Sequence, residues 1–246
     1  MTVTWIRADW PAPDGIIAGC TTRIGGVSTG SYESLNLGAH TGDIPHAVRE
    51  NRRRFVDACT LPSEPIWLSQ VHGSRVTNEP SQGEEADASF TGESDVVCAV
   101  MIADCLPVLF ASDDGRWVAA AHAGWRGLAS GVLENTVDTF ACRPAAILAW
   151  LGPAISQRAF EVGAEVRDAF VAHDGAAASC FVANERGRWQ ADLYELARGR
   201  LKSVGVDRIF GGGFCTFGDA KRFFSYRRDG QCGRMAGFVF RRAANG

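Results

Sequence analysis

Excess charge of either sign is missing: 25 basic and 28 acidic residues leave a formal net charge of −3 over 246 residues. That balance gives no general reason to expect nucleic acid or an anionic membrane surface as a partner. Long apolar runs are missing as well; none approaches the ~20 residues a membrane-spanning helix needs. The opening stretch, MTVTWIRADWPAPDG, lacks the basic start, apolar core and small-residue cleavage site of a secretory signal, so a cytoplasmic address is expected. Internal repeats, low-complexity tracts and Pro/Ser-rich linkers are also lacking. One domain spanning 1–246 is the expectation.

The eight cysteines, at 20, 59, 98, 105, 142, 180, 215 and 232, contain no Cys-x-x-Cys pair. Zinc ribbons and thioredoxin-like redox motifs are thereby excluded. Without a secretion signal, disulfides are not expected, and Cys59, Cys98 and Cys142 read as small buried hydrophobes. No Walker A pattern occurs, and no complete Gly-x-Gly-x-x-Gly follows a strand. Histidine is scarce: five in all, with no His-x-His. A multicopper oxidase, which draws on many imidazoles, is untenable on that count.

What is present centres on Met101–Gly127, MIADCLPVLFASDDGRWVAAAHAGWRG. Apolar runs at 96–103, 108–110 and 117–121 are bounded by turn signals, the pattern of strands covered on both faces. They place Cys105 and His122 at strand edges beside small residues, where a ligand can approach closely. Further strands are expected at 15–22, 66–71, 146–151, 209–214 and 237–240, the one at 66–71 delivering Gln70 and His72. Helices are expected after a capping Asp43, through Val48, Phe55 and Cys59, over 128–140, through Val162, Val166 and Phe170, and over 191–205. Arg49, Arg52, Arg53 and Arg54 read as the solvated face of the first helix. Glu84, Glu85 and Asp87 read as an exposed loop. The fold class is α+β: a single layered domain with a mixed sheet flanked by helices.

One thiol and two imidazoles, Cys105, His72 and His122, suit a zinc with three protein ligands and an open fourth position. Their wide spacing matches no local metal motif. The same residues also suit a Cys105 thiolate activated by a histidine, and a buried cysteine with two unconnected histidines remains open as well. Arg23, beside the loop Ile24–Gly30, could hold an anion or simply face solvent from a turn.

SQVHGSRV at 69–76, ADCLPVLF at 103–110, AHAGWRGL at 121–128, LGPAIS at 151–156 and FFSYRRDGQCGRMA at 223–236 resemble the YfiH-like family, also called the laccase-domain or multicopper polyphenol oxidase family. TTRIGGVS at 21–28 and LNLG at 35–38 are similar to its N-terminal motifs. The resemblance implies a YfiH-like fold and a cytoplasmic, zinc-dependent purine nucleoside phosphorylase. Its substrates would be adenosine, inosine, guanosine and methylthioadenosine with inorganic phosphate, and it would deaminate adenosine as well. It implies His72, Cys105 and His122 as metal ligands and catalytic residues, with copper as an alternative occupant. It also favours Arg23 as an anion binder. Arg126, Arg227 and Arg228 are the other candidates for phosphate, and Asn36 and Gln70 for base or ribose. Asp104 is the nearest carboxyl in sequence, but strand alternation points it away from Cys105. No His-x-Glu of the known zinc deaminases occurs. Cys232 stands where related chains commonly carry Thr. No nucleic acid or membrane partner is expected, and the chain is expected to be a monomer or weak homodimer. Two rival functions stand beside this one: a cysteine hydrolase editing peptidoglycan precursors through Cys105, and a non-catalytic, metal-stabilised binding module.

Overall fold

The computed structural model describes residues 2–78 and 80–243. In chain order its strands are β1 (Trp5–Arg7), β2 (Ile16–Thr21), β3 (Val76–Thr77), β4 (Ala88–Thr91), β5 (Cys98–Ile102), β6 (Leu106–Ser112) and β7 (Val118–Ala123). They continue with β8 (Ile147–Leu151), β9 (Glu161–Val162), β10 (Phe181–Ala183), β11 (Trp189–Ala191), β12 (Arg208–Gly211) and β13 (Met235–Arg241). The α-helices are α1 (Pro45–Cys59), α2 (Trp125–Ala129), α3 (Val132–Asp138), α4 (Ala164–His173), α5 (Leu193–Ser203) and α6 (Tyr226–Asp229).

The strands form a mixed six-stranded sheet in the order β12-β8-β6-β7-β4-β3, an antiparallel four-stranded sheet β1-β2-β13-β5, and a small sheet β10-β11-β9. The two larger sheets pack face to face. Leu109 and Ala111 of β6, Ala120 of β7 and Trp150 of β8 share one core with Cys20, Val100 and Val239 of the four-stranded sheet. Alternate residues of the same strands, Val108, Phe110, Ala119 and Ala149, face the other way into a core with α3, α4 and α5. On its outer side the four-stranded sheet is covered by α1, through Phe55 and Cys59 against Ala99 and Phe238. The result is four layers: helix, sheet, sheet, helices. Both faces of β5, β6, β7 and β8 are therefore buried, which is why those segments read as continuous apolar runs.

Several expectations need correction. Residues 66–71 form no strand: Trp67 and Leu68 are buried, but only Ser69 makes a single bridge, to Glu85. Side chains and loops take the remaining backbone bonds there, as where Trp67 N–H donates to Gln82. Asp43 does not cap α1; the cap is Ile44, while Asp43 accepts hydrogen bonds from Ser28 and Asn36 and ties the preceding loop together. The helix over 128–140 is two helices, broken at Ser130–Gly131, and Val162 belongs to β9 rather than to α4. The strand at 209–214 stops at Gly211. No helix among the described residues is long and apolar enough to cross a membrane.

Candidate functional site

The β6–β7 pairing sets Leu106 opposite Ala123 and Pro107 opposite His122, so Cys105, in the turn just before β6, comes beside the end of β7. Gly124 follows, and a Cβ there would lie 3.0 Å from both Cys105 Sγ and His72 Cδ2. The glycine leaves the space in which the three side chains meet. The His72 loop is pressed against α2, where a Cβ on Gly127 would come within 2.6 Å of the Gly73 carbonyl oxygen. One ligand atom each from His72, Cys105 and His122 then lie within 4.8 Å of one another. His72 Nε2 is 3.9 Å from Cys105 Sγ, and the two imidazoles meet edge to face with centroids 4.8 Å apart. His122 is buried, Cys105 half-buried and His72 exposed.

Asp87 organises this cluster, and the sequence reading missed it. It is fully buried rather than part of an exposed acidic loop. One carboxylate oxygen accepts from His122 Nδ1 at 2.8 Å and from the His72 backbone N–H at 3.0 Å. The other accepts from the N–H groups of Val71 and Gly73, at 3.1 and 2.7 Å. His72 has φ 60, a left-handed conformation uncommon for a non-glycine residue, and the Asp87 carboxylate fixes it by binding three successive N–H groups. The signal was weak in sequence: an Asp directly before the β4 run Ala88–Thr91, hidden behind two glutamates.

Protonation follows from these contacts. Burial would raise the Cys105 thiol, but His122, by charge and hydrogen bond, and His72 more than offset it and bring the pKa to about 6. Desolvation pulls His122 down, while Cys105 and Asp87 outweigh it and raise the imidazole to about 9. Desolvation works against the Asp87 carboxylate, yet His122 and the Gly73 N–H hold it below its usual range. These contacts favour the Cys105 thiolate and a proton on the His122 ring. A thiolate and two imidazoles are a donor set suited to zinc or copper. With Nδ1 of His122 committed to Asp87, its Nε2 is the atom left for a metal, the usual carboxylate–histidine arrangement around such ions.

The cluster lies in a cavity of about 820 Å³ whose walls also include Gln70, His40, Arg52, Tyr226 and Arg234. Gln70 faces this space, but its amide is paired with the backbone of Met101, donating to the carbonyl at 2.9 Å and accepting from the N–H at 2.7 Å. Arg23, Asn36 and Arg126 are not in the lining. Arg23 donates to the carbonyls of Glu33 and Ala220 and lies over Phe224. Asn36 is fully buried; its amide donates to Thr41 and Asp43, and its oxygen accepts from the N–H groups of Gly38 and Arg234. Arg126 is exposed and stacks on Trp125. Arg227 and Arg228 donate to the carbonyls of Glu161 and Thr216. The Asp104 carboxylate accepts from Thr216 Oγ1 and the Arg227 N–H, in a turn at φ 90 rather than in a strand. Arg52, read in the sequence as solvated, instead turns inward, stacking on Trp67 and donating to the Leu37 carbonyl.

A family model described as "Multi-copper polyphenol oxidoreductase laccase" matches residues 17–242. The chain is 57% identical over 238 residues to "Purine nucleoside phosphorylase YfiH" of Escherichia coli (strain K12), covering 96% of this chain and 98% of that protein. A solved structure of a Neisseria meningitidis protein superposes with a TM-score of 0.93 at 48% identity, over 97% of this chain and 99% of that one. YlmD from Geobacillus stearothermophilus superposes with a TM-score of 0.91 at 32% identity, over 97% and 96% of the two chains. Sequence and architecture agree over nearly the whole length: the chain belongs to the YfiH-like, laccase-domain family.

Proposed function

We propose that this chain is a purine nucleoside phosphorylase whose catalytic centre is His72, Cys105 and His122. One observation carries the reading: these three side chains converge in the wall of a cavity of about 820 Å³, a size that suits a nucleoside. The printed name of the E. coli relative supports the substrate class. Adenosine, inosine, guanosine and methylthioadenosine are the proposed substrates, with deamination of adenosine as a second activity. The proposed cofactor is zinc held by the three side chains, with copper as the alternative. Zinc there would supply a Lewis acid with a position left for a non-protein ligand.

In phosphorolysis an oxygen of inorganic phosphate forms a bond to C1′ of the ribose as the C1′–N9 bond breaks. The N9 electron pair passes to the purine, which takes one proton from the phosphate or from solvent. The products are free base and ribose 1-phosphate. Asp87 contributes by holding His122 in the Nδ1–H tautomer and by fixing the His72 backbone. Gln70 contributes by locking the His72 loop to the end of β5.

One arrangement favours a second reading. Asp87, His122 and Cys105 form a carboxylate–imidazole–thiol chain, the order found around activated cysteine nucleophiles. A cysteine hydrolase acting on peptidoglycan precursors would use it without metal. The deciding experiment follows inosine by chromatography with and without phosphate. The phosphorylase reading expects hypoxanthine and ribose 1-phosphate in equal amounts, and none without phosphate. Base release that ignores phosphate and yields free ribose would exclude it.

A further inference from the structure

Although the chain carries 28 acidic residues, no carboxylate lines the catalytic cavity among the described residues. The lining instead brings together Arg52, Arg234 and His40, from α1, from the turn before β13 and from the loop ahead of α1. We infer that these three side chains form an anion subsite that takes inorganic phosphate, and afterwards the phosphate of the sugar product. The inference rests on the phosphorylase reading for its ligand, and it moves the phosphate role from Arg23 to residues on the cavity wall.

Both arginines are held in place and keep donors to spare. Arg52 has its Nε committed to the Leu37 carbonyl at 3.0 Å and its guanidinium 4.4 Å from the centre of the Trp67 ring. Its acidic neighbour, Glu64, is 3.7 Å away and half-exposed, too weak a partner to neutralise it. Arg234 has no carboxylate within ion-pair distance among the described residues; its Nη1 donates to the carbonyls of Cys232 and Gly233. Its stem lies on Gly38, where a Cβ would meet Arg234 Cγ at 2.9 Å. Its backbone N–H is fixed by the Asn36 oxygen, which accepts the Gly38 N–H as well. Asn36 is therefore a positioning residue that fastens the Leu35–Gly38 stretch to Arg234. His40 is an exposed residue of the same lining, where partial desolvation, then the charges of Arg234 and Arg52, lower its pKa. Two guanidiniums and an imidazole in the wall of one cavity, with no carboxylate in its lining, concentrate positive potential there, and planar guanidinium matches phosphate oxygens.

The test uses the full chain and inorganic phosphate as probe, read by calorimetric titration and by the KM for phosphate at saturating inosine. Arg234→Gln and Arg52→Gln are expected to weaken phosphate binding about tenfold or more, since each removes a charged donor, while the KM for inosine changes little. Arg234→Lys keeps the stem packed on Gly38 and guards against a folding defect; it is expected to bind phosphate more weakly than wild type because lysine lacks the fork. Arg49→Gln, exposed on the same helix, is the control for net charge. Phosphate binding within about twofold of wild type in both Gln variants would overturn the subsite, given what a charge-assisted bond contributes. No phosphate binding by the wild type would overturn it too. Wild-type phosphorolysis with unaltered phosphate KM in the variants would sink the subsite and leave the phosphorylase reading standing. Phosphate binding lost in the variants, with no phosphate-dependent base release by the wild type, would do the reverse.

Discussion

Asp87 shows how much one residue can set. Its two oxygens bind His122 Nδ1 and three consecutive backbone N–H groups, so it fixes a tautomer and a left-handed loop at once. Asn at this position would offer one acceptor oxygen and two donors to a set of four donors. Asp87→Asn is therefore expected to cost about 3 kcal/mol or more, because buried N–H groups lose a charged acceptor. Metal affinity should fall about 10- to 100-fold with the loss of the partner behind His122. Thermal melts and zinc competition against a chromophoric chelator measure both; an unchanged melting temperature with unchanged affinity would contradict the role. Residue chemistry at this level was half legible in the sequence. Type and spacing alone left His72, Cys105 and His122 as three unconnected candidates; the family resemblance grouped them, and they do converge. Asp87 and Arg52 were hidden because an acid among acids and an arginine among arginines carry no signal of burial. Their roles come from contacts 35 residues away in one case and on Trp67 in the other.

Elements buried on both faces announced themselves. β5, β6, β7, β8 and β13 are uninterrupted apolar segments because sheet or helix covers each side, and the sequence pattern needs no further help. The stretch 66–71 misled for a related reason. Trp67 and Leu68 are as buried as strand residues, but the backbone there bonds to side chains and loops instead of a ladder. Gln70 substitutes for a ladder partner by exchanging two hydrogen bonds with the Met101 backbone. Gln70→Ala should thus loosen the segment carrying His72, costing about 1–3 kcal/mol for the donor and acceptor left unpaired. Hydrogen exchange at Met101 should speed up and zinc affinity should drop. Unaltered exchange at Met101 would show that the pairing does not hold the loop.

At the scale of the whole molecule, the packing of a four-stranded on a six-stranded sheet was not legible, since apolar runs state that both faces are covered but not by what. That packing positions the candidate site. It stacks β5 and β13 against β6 and β7, so the turn bearing Cys105, the end of β7 and the turn before β13 open into one cavity. Arg52 and Arg234 reach it from opposite ends of the chain. The central claim is that His72, Cys105 and His122 act as one metal-dependent phosphorolysis centre. The most direct measurement titrates zinc into metal-free wild type and into Cys105→Ala while following phosphate-dependent release of hypoxanthine from inosine. The account predicts a wild-type rate that saturates near one zinc per chain. It predicts a Cys105→Ala protein that binds zinc at least about tenfold more weakly and has lost the activity, because the thiolate is the charged ligand of the set. A full rate from metal-free wild type, or an active Cys105→Ala protein, would contradict it.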